Sequence, residues 1–263
     1  MPGQDWLYEA NQWLILAISL GMLLAVTEIG FRRGRRRDGS ANATVTQITT
    51  LQAAAFGILA LLIGFTFAMA LSRFEERRDV VLAEANAIGT VGLRAQLLPQ
   101  PQADDAIPLL RRYVDLRLRL VEANLDPDEL RLVVSQSLEL QQALWADAVT
   151  AIVADPRPAV SGLFTQALNE MIDLHAKRLA ALTNHVPDTV FVLLYMVAAI
   201  ALGFAGYGCG LGRTRNLVVT TVMAFLVVLT ITLIQDIDRP RRGLIHVSQQ
   251  PIVDAQAGLA KPR

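Results

Sequence analysis

The sequence predicts an all-α, multi-pass membrane protein with four transmembrane helices and a soluble helical insert between the second and third of them. Three observations lead to this fold class. Hydrophobic residues make up 53% of the 263 residues and charged residues only 18%, which is more apolar than ordinary soluble domains. The apolar residues are concentrated in long stretches near the two ends of the chain. The segment between them shows helical periodicity, and no part of the sequence alternates as a strand does.

Four apolar stretches are long enough to cross a bilayer. They comprise residues 13–31, 51–71, 189–207 and 217–234. Roughly 20 helical residues cross the hydrocarbon layer, so each stretch is predicted to be a span. The first stretch has no basic segment before it and is followed by Arg32 and Arg33 rather than by a cleavage site, so we expect it to be retained. The glycine-rich sequence from Gly208 to Gly212 is predicted to be the turn between the last two spans.

The segment between the two pairs of spans is predicted to fold as an insert of roughly four helices. These helices are expected near residues 72–98, 105–124, 127–153 and 158–185. A capping box, Asp126-Pro127-Asp128-Glu129, marks the start of the third helix, and Asp155-Pro-Arg-Pro158 marks the next break. No helix breaker separates the second span from the first insert helix, which favours one continuous helix. The resulting domain division is 1–71, 72–188, 189–235 and 236–263, the last being an extramembrane tail.

The turn after the first span carries most of the orientation signal. It contains five arginines, namely Arg32, Arg33, Arg35, Arg36 and Arg37. Basic residues in short loops favour the cytoplasmic side, so the insert is expected to face outward. The opposite side also has arginines near membrane ends, but several of them belong to the long insert, where the rule carries less weight.

Enzymatic, metal and nucleic-acid functions find little support in the residues. Cys209 is the only cysteine, and His175, His185 and His246 are far apart in sequence. No metal-binding pair of histidines and no phosphate-binding loop occurs. With 24 basic and 24 acidic residues the net charge is zero, which gives no electrostatic reason to bind nucleic acid. We therefore expect no enzyme, no cofactor and no metal site, with the histidines at the surface or in an interface.

The second span carries two distinct stripes of side chains. Small residues recur on one face at Gly57, Ala60, Gly64 and Ala68. Bulky apolar residues recur every four positions at Leu61, Phe65 and Met69. The small face suits close helix packing in lipid. The bulky stripe either meets lipid and other helices or, in a symmetric ring of subunits, lines a hydrophobic constriction.

A strongly charged segment follows this span, and a second one follows the fourth span. The candidate residues are Arg73, Glu75, Glu76, Arg77, Arg78, Asp79, Glu84, Asn86, Asp236, Asp238, Arg239 and Arg241. They form either an exposed ion-pair network, an ion vestibule or an interhelical contact. In the last case Asp236 and Asp238 pair with arginines of the first segment. Separately, Glu28 and Arg32 are expected to form an i,i+4 ion pair at the membrane interface.

Several segments in order along the chain carry a family resemblance. They are residues 64–79, 84–89, 110–117 and 238–248. They resemble a bacterial membrane family labelled bestrophin-like, and Glu84-Ala-Asn-Ala-Ile-Gly89 is the most specific stretch. True bestrophins are pentameric ion channels with a large helical segment between the second and third of four spans. Their Gly-Phe followed by Arg and an aromatic residue is similar to Gly64-Phe65 and Arg73-Phe74.

The resemblance implies a homo-oligomeric, pentameric ion channel in a bacterial inner membrane, with lipid, inorganic ions and further copies of the chain as partners. The pore neck falls on Phe65 and Leu61, and Met69 extends the stripe. Arginines at 239, 241 and 242 replace the acidic run of calcium-sensing bestrophins, which argues against a calcium site. Bestrophins keep the insert in the cytoplasm, whereas the five-arginine turn favours the outside.

A second function class stays open beside the channel. Residues 72–188 hold 12 basic and 17 acidic residues, a balance that does not favour collecting anions. A helical insert between paired spans also suits a membrane sensor or scaffold that binds a ligand or a partner protein. That alternative needs no ring of subunits.

Overall fold

The computed structural model describes residues 12–37, 42–121, 126–154, 158–213, 215–240 and 243–260. The regular structure in these ranges is helical, without strands, so the all-α prediction is confirmed. The helices are α1 (Gln12–Arg35), α2 (Asn42–Ala95), α3 (Gln102–Arg119), α4 (Pro127–Ala154), α5 (Pro158–Thr183), α6 (Asp188–Leu211), α7 (Leu217–Asp238) and α8 (Gln250–Ala260). Four segments are long and apolar enough to span a membrane, and they contain the four predicted stretches. The chain is a multi-pass membrane protein.

Helix α2 is one uninterrupted helix of 54 residues. At 1.5 Å per residue it is about 80 Å long. It joins the second span to the first insert helix, as the absence of a breaker predicted.

The start of α4 shows the predicted capping box. The Asp126 carboxylate accepts the backbone N–H groups of Asp128 at 2.9 Å and Glu129 at 2.7 Å. The Glu129 side chain in turn accepts the Asp126 N–H at 3.3 Å. These bonds satisfy donors that the first helical turn leaves unpaired. The second predicted break falls on residues 155–157, which lie outside the described residues, and α5 begins at Pro158.

Two compact units divide the chain. The membrane unit comprises Met1–Ser72 and His185–Ile245, and the insert unit comprises Arg73–Asn184 and His246–Arg263. In the membrane unit, Leu23, Ala198 and Val228 are buried where α1, α6 and α7 pack. The core of the insert unit is apolar and draws on α2, α3, α4, α5 and α8.

Helix α8 belongs to the insert unit and was not predicted as a helix. It buries Ile252 and Leu259, and the Arg111 guanidinium of α3 donates to the Leu259 carbonyl at 2.6 Å and 3.1 Å. Gly92 of α2 faces Leu259 so closely that an added Cβ would lie 2.3 Å from the leucine side chain. An eleven-residue segment is too short to form a stable helix alone, so these contacts stabilise it.

The glycines at 208–212 do not form the turn that the sequence suggested, because α6 continues through most of them. Glycines of α6 and α1 instead allow the two backbones to approach closely. A Cβ on Gly206 would lie 2.1 Å from the Thr27 carbonyl oxygen, and one on Gly34 would lie 2.3 Å from the Tyr207 carbonyl oxygen. In lipid, such close packing replaces the hydrophobic effect as the force that joins helices.

Candidate functional site

The bulky stripe of α2 points away from the rest of the membrane unit. Leu61, Phe65 and Met69 are 57%, 65% and 40% exposed. Their neighbour Thr66 is buried, and its hydroxyl donates to the Leu62 carbonyl at 2.8 Å. The stripe therefore presents three large apolar side chains to the surroundings of the chain.

The small-residue face of α2 is also open. Apart from the adjoining residues and backbone of α2 itself, no described atom lies within 4 Å of a Cβ placed on Gly57 or Gly64, and Ala60 and Ala68 are exposed. The glycines of α1 and α6 show how tightly helices pack when such a face is filled within the chain. The small face of α2 is therefore available to a helix of another molecule.

The charged segment that follows along α2 contains both exposed and buried side chains. Glu75, Glu76, Arg78, Asp79 and Asn86 are exposed, whereas Arg77 and Glu84 are buried. Arg73 is half-buried and donates from Nη1 to Asn184 Oδ1 at 2.8 Å. Asp236 and Asp238 in the last turn of α7 and Arg239 directly after it are buried, and Arg241 lies outside the described residues.

The two acids at the end of α7 bind backbone amides of the membrane unit. The Asp236 carboxylate accepts the N–H groups of Leu244, at 2.9 and 3.1 Å, and of Ile245, at 3.1 Å. Asp238 Oδ2 accepts the N–H of Val186 at 2.7 Å. These carboxylates thus hold the chain segments that enter α6 and leave α7. Their pairing with arginines of α2 stays a prediction.

Glu84 lies in the interior of the insert unit, where it contacts two arginines. Its Oε1 is 2.8 Å from Arg117 Nε on α3, and its Oε2 is 2.5 Å from Arg178 Nη1 on α5. The three side chains are at most 2% exposed. One carboxylate and two guanidinium groups leave this trio with a net positive charge. The trio links α2, α3 and α5, so Glu84 takes part in an interhelical contact.

Polar side chains surround the trio. The Tyr113 hydroxyl donates to Glu84 Oε1 at 3.2 Å, accepts from Gln141 Nε2 at 3.4 Å and lies 3.3 Å from His175 Nδ1. Arg178 Nη2 donates to Gln249 Oε1 at 2.7 Å. These contacts extend the network from α2, α3 and α5 to α4 and to the segment before α8.

The buried network changes the protonation of its members. Burial, together with the positive charge of Arg117, lowers the pKa of His175 to about 4, so the imidazole is neutral at pH 7. Burial and the negative charge of Glu84 raise the pKa of Tyr113, which keeps its hydroxyl protonated. Burial lowers the pKa of the Arg178 guanidinium, against the attraction of Glu84. At neutral pH His175 is thus neutral and Tyr113 keeps its proton.

Sequence reasoning did not single out the partners of Glu84. The histidines were expected at the surface or in an interface, and this was wrong for His175, which is buried among α-helices of one unit. A signal does exist in α3, where Leu110, Tyr113 and Arg117 share one helix face. An arginine on the apolar face of an amphipathic helix indicates a buried charge partner.

Within the described ranges, no three His, Cys, Asp or Glu side chains are grouped as metal ligands. Asp236 and Asp238, the acids at the end of α7, are engaged with backbone amides as described above.

Known families and structures share this architecture. The family model of the Bestrophin-like domain matches residues 16–252. A crystal structure of a bacterial bestrophin homologue from Klebsiella pneumoniae is similar to this chain, with a TM-score of 0.69 and 15% identity over 95% of this chain and 97% of that chain. A substituted form of that homologue gives a TM-score of 0.70 and 13% identity over 95% and 97%. None of the curated proteins compared with this chain matches it.

The structural likeness, at such low identity, shows the fold. The match to the family model shows family membership, because it extends over most of the sequence, from the first span to the tail. The chain belongs to the bestrophin-like family.

Proposed function

We propose that the protein is a homo-oligomeric ion channel of a bacterial inner membrane, a pentameric ring in which α2 lines the pore. Membership of the bestrophin-like family supports this proposal, because true bestrophins are ion channels of that architecture. The observation that carries it is that α2 exposes large apolar side chains both in the membrane unit and in the insert unit.

Exposure inside the membrane does not by itself indicate a protein contact, because lipid also covers apolar side chains. The insert part of α2 is more informative. Leu82 and Leu93 are 50% and 69% exposed, although they lie well beyond the second span. Large apolar side chains exposed along one face of a soluble segment are typical of a protein interface. Another subunit is the partner that a ring requires.

The small glycines and the exposed leucines of α2 lie on the same side of the helix. At about 100° per residue, Leu82 and Leu93 fall within about 20° of each other around the helix axis. Gly57 and Gly64 fall within about 20° of Leu82 on the same scale. A single subunit interface along α2 would therefore use glycines in the membrane and leucines in the insert.

The bulky stripe lies beside this face and is suited to a pore neck. On the same scale Phe65 lies about 100° from Leu82, with Leu61 and Met69 about 40° to either side of it. If neighbouring subunits meet at the glycine face, this stripe turns toward the axis of the ring. Rings of Leu61, Phe65 and Met69 then form an apolar constriction that gates by wetting and dewetting.

The orientation and the vestibule belong to the same proposal. The arginine-rich end of α1 favours the cytoplasmic side, which places the insert outside. The exposed charges Glu75, Glu76, Arg78 and Asp79 follow the neck along α2 and line the vestibule. The acidic balance of the insert disfavours the concentration of anions there.

Recording from the purified protein in planar bilayers, under opposed sodium and chloride gradients, tests the proposal. The oligomer mass is taken from the same preparation by native mass spectrometry. We expect a ring-sized oligomer with discrete currents, and the reversal potential gives the sign of the conducted ion. A folded monomer or dimer without currents would contradict the channel and favour the sensor or scaffold.

A further inference from the structure

A cavity of about 330 Å³ lies in the membrane unit, at the end of α1 that carries the arginines. This volume is within the range of pockets that hold small ligands. One part of its wall is apolar and includes Leu24, Phe31 and Leu217. Another part is polar and includes Arg32 and Arg215. A molecule with both an apolar and an anionic part matches this division.

The two arginines share a single carboxylate. Glu28 Oε1 is 2.8 Å from Arg32 Nε, as the i,i+4 spacing predicted, and Glu28 Oε2 is 3.2 Å from Arg215 Nη2. The Arg215 guanidinium also lies over the Phe31 ring, 5.3 Å from its centroid, which fixes its position at the wall. Each guanidinium has five N–H donors, and these bonds use only some of them. The three groups together carry one net positive charge.

Further arginines near the cavity add to its positive charge. Arg33, Arg35 and Arg36 are exposed on the same turn, and Arg37 donates to the Tyr207 hydroxyl at 2.9 Å. Clustered positive charge at the end of a membrane span attracts anionic headgroups. Guanidinium groups also match phosphate oxygens in geometry, because two parallel N–H bonds reach two oxygens.

We propose that this cavity binds the phosphate group of an anionic phospholipid. The phosphate contacts Arg32 and Arg215, and the glycerol backbone with the first acyl carbons lies against Leu24 and Leu217. A free phosphate ion satisfies only the polar wall. The proposal goes beyond the channel function and holds whether or not the protein conducts ions.

The test uses the full-length protein in detergent, titrated with phosphatidylglycerol, phosphatidylcholine or inorganic phosphate. Bound lipid is counted by native mass spectrometry, and the thermal unfolding midpoint is followed in parallel. We expect phosphatidylglycerol to bind best. Arg215→Gln should weaken it by roughly tenfold, since charge-assisted bonds to the phosphate are lost. Glu28→Gln should strengthen it by roughly threefold, because both arginines are released toward the phosphate.

Arg35→Gln is the matched control, since it removes the same charge from the same turn but lies outside the cavity wall. We expect it to change binding by less than about twofold. Equal weakening by Arg35→Gln and Arg215→Gln would overturn the site in favour of general surface charge. Weakening by Glu28→Gln would overturn the assigned role of the carboxylate as a competitor for the arginines.

Arg32→Gln replaces Arg215→Gln if the latter does not fold, and unchanged binding in the folded variant overturns the proposal. Inorganic phosphate that matches phosphatidylglycerol, with the same response to the variants, would identify a free-anion site and overturn the lipid assignment.

Discussion

A single carboxylate, that of Glu84, compensates two guanidinium groups in the interior of the insert unit. Moving charges out of water costs several kcal/mol for each ion, and the attraction between Glu84 and its two partners offsets part of that cost. Removing Glu84 leaves both buried guanidinium groups without a counter-ion. Glu84 is therefore the residue on which we expect the fold of the insert to depend most.

Glu84→Gln should destabilise the insert by about 3 kcal/mol or more, because Arg117 and Arg178 then remain buried without a counter-charge. The thermal unfolding midpoint and the rate of proteolysis within the insert measure the effect. Glu139→Gln is the control, since Glu139 is an exposed acid of α4, and it should change stability by less than about 0.5 kcal/mol. Similar midpoints for the two variants would contradict the assigned role.

We expect the folded protein to lose stability in mild acid because His175 is buried. Its pKa is lowered to about 4 in the folded protein, against about 6.5 in an unfolded chain. As the pH falls from about 6.5 toward 4, the unfolded state takes up a proton that the folded state does not, so this contribution to stability is lost. For one group the slope cannot exceed about 1.4 kcal/mol per pH unit.

The difference between the wild type and His175→Asn, measured by unfolding midpoints between pH 7 and pH 4, isolates this effect from other titrating groups. We expect the variant to lose less stability than the wild type over this range. His246→Asn is the control, because His246 is exposed. Parallel pH profiles for the wild type and His175→Asn would show that the histidine is not buried neutral.

At the scale of the element, α2 combines two faces with different expected partners. Phe65→Ala should widen the proposed neck, and we expect a higher single-channel conductance or a permanently open pore, because the barrier to wetting falls as bulk is removed. Bilayer recording measures both properties. Phe225→Ala is a matched control, since Phe225 is also an exposed phenylalanine of the membrane unit but lies on α7. Unchanged currents in Phe65→Ala would remove the neck assignment.

Helices α1 and α6 depend on glycine at their contact. Gly206→Ala should destabilise the membrane unit by about 1–3 kcal/mol, because the new Cβ meets the rigid backbone of Thr27 at 2.1 Å. In Gly208→Ala, on the same helix, the nearest atoms are side-chain atoms at 3.7 Å, an ordinary contact. The unfolding midpoints of the two variants in one detergent should therefore differ. A midpoint for Gly206→Ala as high as that for Gly208→Ala would mean that the helices can separate at little cost.

At the scale of the whole molecule, the proposed ring depends on the exposed leucines of α2. Leu93→Glu should shift the oligomer toward smaller species, because it places a charge in the apolar interface between subunits. Native mass spectrometry or light scattering reports the change. Leu132→Glu provides the comparison, since Leu132 is an exposed leucine on α4, and it should leave the mass unchanged. Loss of the ring in both variants, or in neither, would argue against a contact along α2.

Several features of the fold could be predicted because their causes are local in the sequence. The ion pair of Glu28 with Arg32 joins residues four positions apart, and the capping box extends from Asp126 to Glu129. The continuity of α2 follows from the absence of a breaker in its sequence. The contact of Glu84 with Arg178 joins residues 94 positions apart, and no local pattern predicts such a pairing.

The sequence by itself determined that the chain crosses a membrane, that it is helical, which segments form most of its helices, and which family it resembles. These properties follow from hydrophobic length and from hydrogen bonds between residues four positions apart. The tertiary structure alone decided that His175 is buried, that Gly206 packs against Thr27 and that the tail forms α8. It also decided which faces of α2 stay open. A polar or small residue has the same local signal whether it is buried or exposed, so only through-space packing distinguishes the two.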